Sequence, residues 1–176
     1  YDENRIIIGL DEVAPIMKTA ILAIEDSRFY EHNGVDLRGM SRAFVSNLQG
    51  NDVQGASTIT QQYVKLALEE AARQAGDKEA ERQASEESYR RKIQEAKYAM
   101  SLEQEMSKDE ILEAYLNLAY FGALSYGVEA ASQSYFGKTV SDITIAEAAV
   151  LAGLIKFPNA ANPIDYLDRA LDRRDI

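Results

Sequence analysis

Two glutamates set in dense polar runs are the residues best equipped for chemistry. Glu25 opens Glu25-Asp26-Ser27-Arg28-Phe29-Tyr30-Glu31-His32-Asn33-Gly34, and Glu95 closes Arg91-Lys92-Ile93-Gln94-Glu95. Between them lies Gly55-Ala56-Ser57-Thr58-Ile59-Thr60-Gln61-Gln62, followed by Lys65. A pair of carboxylates suits chemistry at a sugar anomeric carbon, where one oxygen loses a proton while another bond breaks. The cations beside Glu95 point to an anionic leaving group.

Each run also has a plainer reading. Glu25 and Asp26 beside Arg28 make an ordinary solvated acid–base cluster, but Glu25 sits just past an apolar helix, where partial desolvation suits proton transfer. His32 is the single histidine, so a His-based metal site is excluded, and its expected task is to orient Glu25 or Asp26 by hydrogen bonding within the turn. Phe29 reads as a core anchor. Thr58, Gln62 and Lys65, spaced four and three apart, line one helix face with a hydroxyl, an amide and an ammonium. A helix N-terminus capped by Ser57 adds free backbone N–H groups for an anion. Arg91 and Lys92 precede Glu95 by four and three residues, which fits either an intrahelical salt bridge or, with Lys65, a cationic nest for a pyrophosphate.

The elements that must position these groups read as helices, and the expected fold class is all-α. Asp11 is expected to cap a helix carrying Val13, Ile16, Met17, Ala20, Ile21 and Ile24, with Pro15 in its first turn and Glu25 at its end. Asp36 starts a second helix, with Leu37, Met40, Phe44 and Leu48 at helical spacing, which the turn cluster Gly50-Asn51-Asp52 ends. A third runs from Ser57 to about Ala72. Residues 69–88 hold seven acids against three bases and few large apolar side chains, so an exposed or mobile insertion is expected there. A long helix should then run from Ser85 to about Met106, with Tyr89, Ile93, Ala96 and Met100 facing inward. Ser107-Lys108-Asp109-Glu110 and Thr144-Ile145-Ala146-Glu147 both fit the capping box. Asn162-Pro163 begins a closing turn before a short C-terminal helix.

Composition bounds the function. The 176 residues are 46% hydrophobic, enough for one compact domain over 1–176. A formal charge of -10 argues against non-specific nucleic-acid binding, which requires a basic surface. Zero cysteines exclude disulfides and Cys-based metal sites. With neither a signal pattern nor a bilayer-length apolar run, the chain reads as a domain cut from something longer, truncated at both ends, with any membrane anchor outside it.

Taken together, the motifs resemble the glycosyltransferase domain of peptidoglycan polymerases, found in bifunctional class A penicillin-binding proteins and monofunctional transglycosylases. The first family motif matches Glu25 to Gly34 with Asp36, the second Gly55 to Gln62 with Lys65, and the third Arg91, Lys92 and Glu95. The fourth matches Lys108, Ile111-Leu112-Glu113, Tyr115-Leu116-Asn117 and Gly122, and the likeness continues through Tyr126-Gly127-Val128-Glu129 to Leu151-Ala152-Gly153. Three features depart from the family: a longer connection between Gln62 and Arg91, Leu66 where Asn often follows the second-motif lysine, and Arg173-Arg174-Asp175-Ile176 at the end where the last motif usually reads Arg-Arg-x-x-Val-Leu.

The resemblance implies a lysozyme-like helical head with a smaller membrane-proximal lobe. It implies an enzyme that polymerises lipid II into β-1,4-linked glycan, with inversion at the donor MurNAc C1 and release of polyprenyl pyrophosphate. Glu25 and Glu95 are the implied catalytic residues, Glu25 as the base. Asp26, His32, Ser57, Thr58, Gln62, Lys65, Arg91 and Lys92 are the implied substrate-binding set, and Phe29, Gly34, Asn117 and Gly122 the structural one. No cofactor is required. Glu95 acts directly or through a divalent cation, Mg2+ or Mn2+, on the pyrophosphate. The implied setting is the outer face of the cytoplasmic membrane, with lipid II, the growing lipid-linked glycan and a transpeptidase domain or other cell-wall synthesis partners, and no nucleic acid. Apolar residues of the second helix, such as Leu37 and Met40, are placed to touch lipid. Two rivals remain: a lysozyme-like hydrolase or lytic enzyme, which has no need of Lys65, Arg91 and Lys92 around a pyrophosphate, and a catalytically silent module that binds lipid-linked precursor.

Overall fold

A computed structural model describes residues 4–48, 57–85, 89–156, 158 and 168. Among the described residues the chain forms eight α-helices: α1 (Pro15–Glu25), α2 (Leu37–Leu48), α3 (Ile59–Ala75), α4 (Lys78–Ser85), α5 (Tyr89–Glu105), α6 (Lys108–Leu118), α7 (Val128–Phe136) and α8 (Ile145–Lys156). The all-α expectation holds. The only strands among these residues are a two-residue parallel pair, β1 (Asn4–Arg5) and β2 (Ser125–Tyr126), in which Asn4 faces Ser125.

The chain divides into two compact units, residues 25–111 and residues 1–24 with 112–176. In the second of these, Met17, Ile21, Leu112, Tyr115, Leu116, Phe121, Leu151 and Leu154 are buried. Burying each such side chain contributes about 1.5–3 kcal/mol. Asn117 holds the N-terminal segment in place: its Nδ2 donates to the Ile8 carbonyl at 2.8 Å and its Oδ1 accepts the Ile8 N–H at 3.1 Å. One turn earlier, Glu113 accepts the Leu10 N–H at 2.8 Å. Gly122 sits at φ +87° with the Pro158 carbonyl directly against the place where a Cβ would stand, so only glycine fits.

Helix starts differ from expectation in two places. Asp11 lies in a short 3-10 turn, Leu10–Glu12, and α1 begins at Pro15, whose missing N–H costs nothing at a first helical position. Thr58, not Ser57, caps α3, because the Thr58–Gln61 pair can bond reciprocally: Gln61 Oε1 accepts the Thr58 N–H at 3.0 Å and Thr58 Oγ1 accepts the Gln61 N–H at 3.2 Å. Asp36 does cap α2, accepting the Gly39 N–H at 2.9 Å. Both expected capping boxes form, with Glu110 accepting the Ser107 N–H at 2.7 Å and Glu147 that of Thr144 at 2.7 Å.

The acidic stretch is helical where described. α3 continues to Ala75, Gly76 closes it in the left-handed conformation, and α4 follows, with Lys78, Glu79 and Arg82 exposed. Residues 86–88 lie outside the described residues, as do Gly50-Asn51-Asp52, Gly55-Ala56, Asn162-Pro163 and, apart from Asp168, the segment expected to form the C-terminal helix.

The inward face expected for α5 is overturned. Tyr89 is 93% exposed and Ile93 60%, and Met100 is exposed as well, whereas Glu95 and Ala99 are buried. Glu95 stands about 200° around the helix from Ile93, so burying one face exposes the other. The polar face can be buried because its charges are paired and because Ala99 is small.

Candidate active site

The predicted site residues of the first three motifs all fall in the unit spanning residues 25–111. α3 is the element that gathers them. Over five consecutive positions its N-terminus reaches four different groups of this unit. Thr58 Oγ1 donates to the Gly34 carbonyl at 2.7 Å, the Ile59 N–H to Asp26 Oδ2 at 3.0 Å, Thr60 Oγ1 to Glu103 Oε1 at 2.5 Å, and Gln62 Nε2 to Glu25 Oε2 at 2.8 Å. A cap residue of this kind is worth about 1 kcal/mol.

Glu25, the last residue of α1, is half-buried and bonded to a neutral amide. Asp26 turns elsewhere. His32 Nε2 lies 2.9 and 3.1 Å from its two carboxylate oxygens, and both residues are buried. The geometry requires His32 to donate from Nε2, so Asp26 and His32 serve each other and the Ile59 amide. Arg28 does not pair with Glu25; it reaches Asp36 at 2.8 Å and Glu31 at 3.5 Å. Burial works against ionisation of Asp36, but the Gly39 N–H, Arg28 and His32 outweigh it and hold its carboxyl below the usual range.

Phe29 is buried, as expected, and the Lys108 ammonium sits 4.5 Å from its ring centroid. Gly34 adopts φ +78°, and a Cβ there would lie 2.6 Å from the Ala99 carbonyl carbon. The turn that follows Glu25 is thereby seated on the α5 backbone.

Glu95 is 2% exposed. Its Oε1 accepts from Arg91 at 2.7 Å and its Oε2 lies 3.1 Å from Lys92, while Lys92 also donates to Ser57 Oγ at 3.3 Å. The intrahelical salt bridge is present, and Lys92 joins Arg91 on Glu95. α3 packs against α5. On α3, Lys65 is 3.7 Å from Glu69. Burial raises the Glu69 pKa, opposed by the charges of Lys65 and Arg91 and reinforced by that of Glu95. Both oxygens of Glu95 are already in ion pairs, and no group of three or more metal-ligating side chains occurs among the described residues. These residues do not fit a resident cation on Glu95.

Several residues of this arrangement were missed from sequence. Glu103 has a nearly buried side chain and accepts from both Thr60 and Lys108, the latter at 2.7 Å. It lies one turn after Ala99 and eight residues after Glu95, a position masked by the stronger apolar signal of Tyr89, Ile93 and Met100. Tyr30 donates to Asp109 at 2.8 Å, and partial burial followed by that hydrogen bond and charge pushes its pKa up to about 12. No local motif announces that pair. Asn117 and Gly122 belong to the other unit and support its loops, in keeping with a structural role.

This helical unit thus combines a helix-end glutamate held by an amide with a buried glutamate paired to two cations. The family model described as Transglycosylase matches residues 1–176, and the chain belongs to that family. It is similar to penicillin-binding protein 1A of Escherichia coli (strain K12), 46% identical over 99% of this chain and 19% of the relative. It is also similar to penicillin-binding protein 1F of Bacillus subtilis (strain 168), 40% identical over 99% of the chain and 23% of the relative. Penicillin-binding protein 1A of Mycobacterium tuberculosis is 42% identical over 91% of the chain and 18% of the relative. The chain thus spans about a fifth of the length of the curated relatives it matches.

Proposed function

We propose that the chain polymerises lipid II into glycan strands. The observation that carries this reading is the contrast between its two glutamates. Glu25 is half-buried beside a neutral amide, whereas Glu95 is buried and neutralised by two cations. Environments this different assign different tasks to the same functional group.

In this reading Glu25 accepts the proton of the acceptor GlcNAc 4-hydroxyl as that oxygen forms its bond to C1 of the donor MurNAc. The bond from C1 to the pyrophosphate oxygen breaks on the opposite face, its electron pair leaves with the polyprenyl pyrophosphate, and the anomeric configuration inverts. Gln62 fixes the orientation of the base. Lys65, Arg91 and Lys92 receive the negative charge that develops on the leaving group, with Glu95 holding the last two in place. Asp26, His32 and Thr58, buried and bonded among themselves and to neighbouring backbone, act by positioning the loop and the start of α3. A divalent ion, where involved, arrives on the substrate's pyrophosphate.

Among the described residues no helix is long and apolar enough to cross a membrane. The lipid-linked substrate places the reaction at the outer face of the cytoplasmic membrane. A transpeptidase domain or other cell-wall synthesis partner is the proposed neighbour, in line with relatives that are penicillin-binding proteins by name.

The test is glycan formation from labelled lipid II by the parent protein and by Glu25→Gln. Polymer from the parent alone is the expected result. Saturable lipid II binding without polymer from either protein would overturn the assignment in favour of a binding module.

A further inference from the structure

The polar face of α3 does not stop at Lys65. Thr58, Gln62, Lys65 and Glu69 follow one another at spacings of four, three and four, so Glu69 prolongs the same face by one turn. Its carboxylate lies 3.7 Å from the Lys65 ammonium, and its side chain is only about a quarter exposed, at 27%. α3 packs on α5, which carries Arg91, Lys92 and Glu95. The cationic cluster therefore contains two carboxylates, and they differ in kind. Glu95 is held by Arg91 and Lys92 at 2.7 and 3.1 Å, whereas Glu69 has a longer contact with Lys65. Beside that of Lys65, the charges of Arg91 and Glu95 also act on Glu69.

We propose that Glu69 is a specificity-determining residue of the anion site, an internal competitor that weakens the hold of Lys65, Arg91 and Lys92 on the leaving pyrophosphate. This inference rests on the proposed role of those cations. When the bond from C1 to the pyrophosphate breaks, the leaving group gains negative charge. A carboxylate fixed beside the cluster repels the released product more than the intact donor, and draws Lys65 back as the product departs. Glu69 thereby favours turnover over product retention.

The experiment is calorimetric titration of the full chain with inorganic pyrophosphate and with dimethyl phosphate at low and high salt. Glu69→Gln, which removes charge at constant shape, is compared with Glu70→Gln, which makes the same change in net charge one residue away. Lys65→Ala and Arg91→Gln test the site itself. Glu69→Gln should bind pyrophosphate about two- to fivefold more tightly, the scale of a partly exposed charge pair. The gain should be smaller for dimethyl phosphate and should shrink in high salt. Unchanged or weaker pyrophosphate binding by Glu69→Gln, with binding still lost in Lys65→Ala and Arg91→Gln, would overturn the role of Glu69 alone. Equal gains in Glu69→Gln and Glu70→Gln would reduce the effect to net charge and overturn it too. Pyrophosphate binding that is indifferent to Lys65→Ala and Arg91→Gln would remove the anion site and this inference with it.

Discussion

Gln62 donates from Nε2 to Oε2 of Glu25 across 2.8 Å, joining the second helix turn after the Thr58 cap to the last residue of α1. A neutral amide fixes the direction of the carboxylate without neutralising it, as a base that must accept a proton requires. The bond depends on where α3 begins, and that start is set by the Thr58–Gln61 cap and by the Ile59 N–H on Asp26.

Removing the proposed base should therefore differ from disturbing it. Glu25→Gln is expected to lower polymerisation about 10²–10⁴-fold with little change in thermal midpoint, the usual range for a lost general base. Gln62→Ala should cost about tenfold, the loss of one oriented hydrogen bond. Rates on labelled lipid II decide the matter, and a parental rate in Glu25→Gln would sink the assignment.

Glu95 carries structure beside its proposed part in the chemistry. Glu95→Ala leaves Arg91 beside an emptied, buried position and should destabilise the protein by about 3–5 kcal/mol. Urea denaturation measures this, and a loss below about 1 kcal/mol would show that the pair is solvated like a surface ion pair.

Gly34→Ala forces a Cβ to within 2.6 Å of the Ala99 carbonyl carbon at a backbone φ of +78°. Strain of this kind costs about 1–3 kcal/mol. A lower thermal midpoint with a disproportionate loss of turnover is expected, since the same turn carries the Thr58 acceptor. Unaltered melting would mean that α5 yields easily at Ala99.

Tyr30 gives a pH signature. Its pKa is raised to about 12 from 10.0, so the neutral phenol is favoured in the folded state. The associated stability is fully present below about pH 10 and is lost as pH rises toward 12, because the unfolded chain releases that proton first. Ultraviolet titration of the native protein should show one late tyrosine that disappears in Tyr30→Phe, whose stability should fall less steeply over that interval. A tyrosinate titration with no component whose midpoint lies well above pH 10 would contradict the Tyr30–Asp109 contact.

Helix existence and the motifs were legible because both follow from local rules. The 3.6-residue period, the Ser107–Glu110 and Thr144–Glu147 boxes and the Asp36 cap each depend on residues within one turn of one another. The side of α5 that is buried was not legible, since Tyr89, Ile93 and Met100 carry the larger apolar signal. The turn at Gly34, the small Ala99 and the paired charges of Glu95 instead make the other face the one that packs. Likewise Glu103 and Asp109 take partners, Thr60 and Tyr30, that lie 43 and 79 residues away.

The sequence by itself determined that this is a helical domain of the transglycosylase family and which glutamates, cations and amides stand in its motifs. Only the tertiary structure decided how those groups divide the work. Glu25 receives an amide, Asp26 a histidine and a backbone N–H, and Glu95 two cations. The physical reason is distance along the chain: a carboxylate's task is set by its burial and its partners, and for Glu25 and Asp26 the decisive partners lie on α3, more than thirty residues away.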